Sequence, residues 1–226
     1  METIKDIYAL DLTGGFPLST DSMVLADFVR LPKNAEVLDL GSGCGTLGLL
    51  LCARNSSCTV TGIELDESAH ATALDNIRRN DLSGRLHSIC SDLKTMPFIP
   101  GSFQVCVSNP PYFSGGERHS RTPDARQEDR CPPAALFAAA ARALRFGGDF
   151  FLVHKPERLA QLCCEASTAG LEPKRLRLVR HRPDAPISLI LLSCRKGGKP
   201  GLQIDELILY HPDGTPTDDY KRIYHC

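Results

Sequence analysis

Short apolar runs separated by longer stretches of helical periodicity dominate the pattern of this chain. Ala35–Leu40, Cys58–Glu64, Arg85–Cys90, Phe103–Ser108 and Asp149–His154 read as strands, being short, largely apolar and bounded by polar or glycine-rich segments. Between them, Ser68–Asn80 and Pro133–Leu144 carry amphipathic or alanine-rich patterns of helical period. Alternation of this kind predicts parallel strands joined by right-handed crossovers, a doubly wound, mostly parallel α/β sheet. The pattern then changes. Arg175–His181 and Ile187–Arg195 flank the short link Arg182–Pro186 and are expected to pair as an antiparallel C-terminal hairpin at a sheet edge. Leu202–Tyr210 is a further strand candidate, and 212–226 reads as a polar tail. Ahead of the first strand, a helix is expected from Ser22 to about Arg30, capped by Asp21 or a neighbour, with Val24, Leu25, Phe28 and Val29 inward. One domain is expected, with a helical lead-in over 1–34, a core sheet over 35–200 and a closing strand and tail over 201–226.

Composition narrows the picture. The chain has 226 residues, 42% of them hydrophobic, enough for one sheet covered on both faces. No run of about 18 apolar residues exists to span a membrane, and Met1–Asp11 lacks the apolar core of a signal peptide, so the expected location is the cytoplasm. The formal net charge of −1 means that a nucleic acid must be met by a local patch. Ten cysteines include no Cys-x-x-Cys pair, so buried free thiols are expected and no metal.

The first strand runs through Asp39 into Gly41-Ser42-Gly43-Cys44-Gly45 and then a helix, the expected ligand crevice of an open α/β sheet. Two ligands compete for it. Gly43-x-Gly45-x-x-Gly48, with Glu64 about 20 residues on, satisfies the dinucleotide pattern and allows a nicotinamide cofactor. Asp39 argues the other way: a carboxylate at the strand end repels a pyrophosphate and suits the positively charged methionyl end of S-adenosyl-L-methionine. Asp39-x-Gly41-x-Gly43-x-Gly45 resembles the first motif of class I methyltransferases. Glu64 and Asp92 follow the next two strands, where that family holds the ribose hydroxyls and the adenine amino group.

Ser108-Asn109-Pro110-Pro111-Tyr112 ends the fourth strand. Two prolines stiffen the backbone and cannot continue a hydrogen-bonded ladder, so a plain strand-ending turn is the bland alternative. The chemical reading is sharper. An exocyclic adenine amine is a poor nucleophile, because its lone pair is delocalised into the ring. The Asn109 side-chain oxygen and the Pro110 carbonyl can each accept one amine hydrogen, and Tyr112 can stack on the base. Only 38 residues precede Asp39, too few for the helical domain of the glutamine methyltransferases that share this tetrapeptide. The stretch from Phe113 to Gly147 is too short and alanine-rich for the target-recognition insertion of DNA adenine methyltransferases.

The chain resembles the bacterial tRNA(Val) adenine-N6 methyltransferase family over nearly its whole length. The likeness rests on Thr20-Asp21-Ser22-Met23-Val24-Leu25-Ala26, the loop from Asp39 to Gly45, Asn109–Phe113, Phe150–Arg158 and Gly170–Arg175. It implies a Rossmann-like class I fold with a seven-stranded sheet and an added C-terminal hairpin, acting as a monomer or weak dimer. It also implies N6-methylation of an adenine in tRNA, the one 3′ of the anticodon. The implied cofactor residues are Thr20, Asp39, Gly41, Ser42, Gly43, Gly45, Glu64, Leu65, Asp92 and Asn109, with Asn109, Pro110, Pro111 and Tyr112 catalytic. Gln104 departs from the Asp that relatives often carry.

Two basic stretches are candidate RNA contacts. Arg118, His119, Arg121, Arg126 and Arg130, with Phe113, follow the tetrapeptide and could form a lid, although Glu117, Asp124, Glu128 and Asp129 cancel most of that charge. Lys174, Arg175, Arg177, Arg180 and Arg182 lie on the expected edge hairpin, where charge more often guards an edge against aggregation. The competing functions are a nicotinamide-dependent oxidoreductase, a non-catalytic RNA-binding scaffold, and the same chemistry on ribosomal RNA or protein.

Overall fold

Val37 to Leu40 are all buried, because the strand that holds them has neighbours on both sides and helices on both faces. The structure, a computed structural model, describes residues 2–4, 8–10, 19–110 and 132–224. β1 (Glu2–Ile4) and β2 (Tyr8–Leu10) pair antiparallel as a separate two-stranded sheet. α1 (Thr20–Phe28) leads to β3 (Glu36–Leu40), α2 (Thr46–Arg54), β4 (Thr59–Glu64), α3 (Glu67–Arg79), β5 (Leu86–Cys90) and β6 (Phe103–Ser108). α4 (Pro133–Ala143), β7 (Leu144–His154), α5 (Leu159–Thr168), β8 (Leu171–Arg180), β9 (Ile187–Lys196), β10 (Gln203–Ile208) and α6 (Asp218–Tyr224) follow.

The main sheet runs β10-β8-β9-β7-β6-β3-β4-β5 and is parallel except where β9 pairs antiparallel with β7 and β8. Neighbouring residues of each strand feed opposite layers. Val37, Val105, Val107, Phe151 and Leu191 pack with α1, α2 and α3 on one face. Leu38, Cys106, Phe150, Leu152 and Ile190 pack with α4 and α5 on the other. The two-residue period of a strand therefore serves two cores at once. The chain adds β4 and β5 on one side of β3, then crosses to place β6 on its other side. That reversal leaves a crevice between the carboxyl ends of β3 and β6.

The doubly wound fold matches the expectation, with four differences. The sheet has eight strands rather than seven, since β10 joins it parallel to β8. The hairpin β8–β9 forms, but β8 is interior rather than an edge. Its arginines face acids on β10: Arg177 Nε lies 2.6 Å from Asp205 Oδ1, and Arg180 Nε 2.5 Å from Glu206 Oε1. Arg175 and Arg177 also sit over the Phe28 ring, at 4.4 and 5.5 Å from its centroid. Arg175, Arg177 and Arg180 thus serve cross-strand pairing, not edge protection. Third, α1 starts at Thr20 because Ser19 is the cap, its Oγ accepting the Ser22 N–H, and it stops at Phe28 where Val29 turns extended. The polar tail also folds in part, as α6. Arg222 of α6 and Arg54 of α2 both reach Asp27, a carboxylate with only 3% of its side chain exposed, which ties both helices to α1.

Candidate functional site

β3 ends at Leu40, and the chain then turns through Gly41 and Gly43 at φ +73° and +54°, where any other residue type pays backbone strain. The Gly41 and Ser42 N–H groups both donate to the Ile63 carbonyl at 3.0 Å, pinning the turn to β4. Gly43 N–H donates to Glu64 Oε2 at 2.8 Å. A Cβ built on Gly41 or Gly43 would meet nothing within 4 Å among the described residues, which leave this side of the turn open. The opposite side is tight. A Cβ on Gly62 would come 2.5 Å from Ser42 Oγ, and one on Gly48 2.6 Å from Leu86 Cδ1. Gly48 thus serves helix-to-strand packing. Ser42 Oγ is buried and has no hydrogen-bond partner among the described residues.

Three acids stand at the carboxyl ends of the adjacent strands β3, β4 and β5. Asp39 is 2% exposed. Burial, and then repulsion from Glu64, pushes its pKa up to about 8. Glu64 accepts the Asp66 N–H through its second oxygen at 2.8 Å, so one carboxylate braces both the glycine turn and the start of α3. Asp92 accepts the Lys94 N–H at 2.8 Å and opens a 3-10 turn over Leu93–Thr95. Leu65, next to Glu64, leaves 47% of its surface exposed.

On the other side of β3, Ser108 is fully buried and donates its hydroxyl to the Leu40 carbonyl at 2.7 Å. This bond joins the last residues of β6 and β3, so Asn109 emerges beside the glycine turn. The Asn109 side-chain nitrogen donates to Ser22 Oγ at 3.0 Å. Thr20, two residues earlier on α1, hydrogen-bonds the phenol of Tyr224 on α6, whose pKa burial nevertheless raises. Pro110 is half-buried beyond Asn109. His154 ends β7 with its Nδ1 accepting the Lys155 N–H at 2.8 Å, which places the ring proton on Nε2. Burial and then Arg158 lower its pKa to about 4, so it is a neutral imidazole at physiological pH. Pro111, Tyr112, Phe113 and the basic group Arg118, His119, Arg121, Arg126 and Arg130 lie outside the described residues.

Residues 18–165 match the family model described as methyltransferase small domain. The chain belongs to the methyltransferase small domain family. Among its relatives, a protein of Tolumonas auensis named tRNA1(Val) (adenine(37)-N6)-methyltransferase is 32% identical over 210 residues, covering 90% of this chain and 86% of the relative. A protein of the same name from Photobacterium profundum is 29% identical over 220 residues, covering 94% of this chain and 91% of the relative. Among solved structures, a predicted O-methyltransferase of Agrobacterium tumefaciens has a TM-score of 0.77 at 20% identity, covering 91% of this chain and 96% of that one. A SAM-dependent methyltransferase of Aquifex aeolicus has a TM-score of 0.58 at 14% identity over 82% and 92% of the two chains. These two show a shared fold.

In this methyltransferase the structure brings together Asp39, Gly41, Ser42, Gly43, Gly45 and Glu64 around one turn, with Asn109 across the β3–β6 boundary. Thr20 is near them in the chain fold but spends its side chain on Tyr224. Three supporting residues escaped the sequence reading of function. Asn76, fully buried in α3, donates to the Cys44 carbonyl at 2.8 Å and clamps the glycine turn from outside. A polar residue on the apolar face of Ala69, Ala73 and Ile77 was its available signal. Ser108 and Ser22 offered none, since a serine at a strand end or in a first helical turn is commonplace. The departure at Gln104 lies at the opposite end of β6, where its Oε1 accepts the Glu36 N–H at 2.5 Å. It does not touch the crevice.

Proposed function

We propose that this chain transfers a methyl group from S-adenosyl-L-methionine to the exocyclic N6 amine of an adenine in tRNA, the adenine 3′ of the anticodon. The observation that carries the reading is the Ser108–Leu40 bond, which sets Asn109 beside the glycine turn. The names of the relatives, adenine-37 N6-methyltransferases of a valine tRNA, support the substrate.

The residues present suit the cofactor. Asp39 is a buried acid, Ser42 Oγ is a buried hydroxyl with no partner among the described residues, and the side of Gly41 and Gly43 that no described residue fills admits close approach of a ligand to backbone. A pyrophosphate would gain nothing from Asp39, a buried acid that ionises only beside a positive charge, which disfavours a nicotinamide nucleotide. When bound, S-adenosyl-L-methionine supplies an electrophilic methyl group and a positive charge. Asp39 balances the ammonium of the methionyl end. Glu64 keeps lone pairs on both oxygens for ribose hydroxyls while holding Gly43 and Asp66, and Leu65 and Asp92 offer an apolar face and an acceptor to the adenine ring.

The Asn109 oxygen and the Pro110 carbonyl accept the two N6 hydrogens and so orient the nitrogen lone pair, with Pro111 stiffening the turn and Tyr112 stacking on the base. Neither acceptor is a base at neutral pH. The amine proton leaves to solvent after transfer. An anticodon-loop adenine is already outside a duplex, so a small enzyme pays little to seat it. Phe113, Arg118, Arg121 and Arg126 are the proposed RNA contacts of this reading. We place the enzyme in the cytoplasm as one domain over 1–226, a monomer or weak dimer. Among the described residues no helix is long and apolar enough to cross a membrane, and no three His, Cys, Asp or Glu side chains group as a metal requires.

The test is incubation with labelled methyl donor and total RNA, DNA or protein, followed by nucleoside mass spectrometry. N6-methyladenosine in the tRNA fraction is the expected product; label in ribosomal RNA or protein alone would replace the substrate.

A further inference from the structure

We infer that Ser22 is a positioning residue, which holds the Asn109 carboxamide by its nitrogen so that the oxygen end serves the substrate amine. The inference rests on the proposed methylation of an amine at Asn109 and adds a residue to it.

A carboxamide has one donor end and one acceptor end, and the two are nearly equal in shape. The chemistry at an adenine amine tolerates only one of them. Its N6 hydrogens need an acceptor, and a reversed amide would oppose N–H to N–H. Something must therefore fix which end of Asn109 faces the substrate. In the structure Nδ2 donates to Ser22 Oγ at 3.0 Å, and the two residues are 87 positions apart in the chain. With the nitrogen committed to α1, the oxygen is the end turned away from it.

Ser22 is well placed for such a task. It is 6% exposed and occupies the first turn of α1, where its own N–H is taken by the Ser19 side chain at 3.4 Å. Met23, Val24 and Leu25, which follow it, are buried in the core beneath the sheet. Its position is thus set by packing. Asn109 hangs from the end of β6, which the Ser108–Leu40 bond anchors to β3. The Ser22–Asn109 bond spans two rigid elements, and it orients a side chain that the backbone alone leaves free to turn.

Threonine and valine substitutions isolate the hydroxyl, because the two side chains have the same shape. Ser22→Thr keeps the acceptor, and kcat is expected to stay within about threefold of the wild type. Ser22→Val and Ser22→Ala remove it, and kcat is expected to fall roughly tenfold or more, with KM for tRNA, S-adenosylhomocysteine affinity and Tm close to those of Ser22→Thr. Equal kcat for Ser22→Val and Ser22→Thr overturns the inference, as does a loss in both that travels with lower Tm and weaker S-adenosylhomocysteine binding, which marks a packing role. A wild-type enzyme that methylates no adenine in any RNA withdraws the proposed function itself, and this inference with it.

Discussion

Asp39→Asn removes a carboxyl group that the free protein barely tolerates, and its effect on ligand binding depends on pH in a calculable way. Burial and Glu64 raise the Asp39 pKa to about 8, so the free protein holds this acid largely protonated at neutral pH. The ammonium at the amino-acid end of the ligand needs the anion. Binding must then expel a proton, and affinity rises as pH approaches 8 from below. If the ligand's charge draws the bound-state pKa below the range tested, affinity at about pH 6 lies roughly 100-fold below its plateau, and at about pH 7 roughly tenfold below. Titration calorimetry with S-adenosylhomocysteine from about pH 6 to 8, in buffers of different ionisation heat, reads both the slope and the released proton. 5′-Methylthioadenosine, which lacks the charged amino-acid end, should show neither. In Asp39→Asn the slope should vanish and binding should be weak throughout. Free-protein stability runs the opposite way: a carboxyl group whose folded pKa is raised stabilises fully below its unfolded pKa, and that contribution drains away as pH climbs toward 8. Asp39→Asn without ligand should therefore match the wild-type Tm near pH 4 and exceed it near pH 8 (approximate settings). Flat S-adenosylhomocysteine affinity across this range, with no proton released, refutes the assignment of Asp39 as counter-ion.

Three further substitutions probe the rest of the crevice. Asn109→Ala should lower kcat by about 10²-fold or more while leaving S-adenosylhomocysteine binding intact, read by single-turnover kinetics beside calorimetry. Gly62→Ala places a Cβ 2.5 Å from Ser42 Oγ, and the displaced turn should cost roughly 1–3 kcal/mol by urea denaturation together with a weaker cofactor site. Asn76→Ala leaves the buried Cys44 carbonyl without its donor, at a cost of about 1–3 kcal/mol, and should weaken S-adenosylhomocysteine more than tRNA. An Asn76→Ala protein with wild-type stability and affinity means the clamp is idle.

Much of the fold was legible because parallel strands buried on both faces are largely apolar, as Val105–Val107 is throughout and Val37–Leu40 is but for Asp39. The helix expected over Ser68–Asn80 was legible from its narrow apolar stripe, and the structure starts it at Glu67 because the Asp66 side chain accepts the Ser68 and Ala69 N–H groups. The place of β10 was not. Four of its six residues are exposed, so its pattern does not announce a core strand, and it is held by ion pairs between Asp205, Glu206 and the β8 arginines. α6 was hidden similarly: of its residues only Ile223 is buried, and Arg222 anchors it through Asp27.

The local chain chemistry by itself determined the glycine turn, the acids that close three strands and the Asn109-Pro110 turn, because positive φ, strand ends and paired acceptors each demand particular residue types within a few positions. Tertiary structure alone decided which of these meet. Ser108 reaching Leu40, Asn76 reaching Cys44 and Ser22 reaching Asn109 are bonds between residues 68, 32 and 87 positions apart, each made by a side chain unremarked in its local setting. The physical reason is that a hydrogen bond across the fold has no sequence period. It exists only once the sheet order has brought the ends of β3 and β6 together beneath α1.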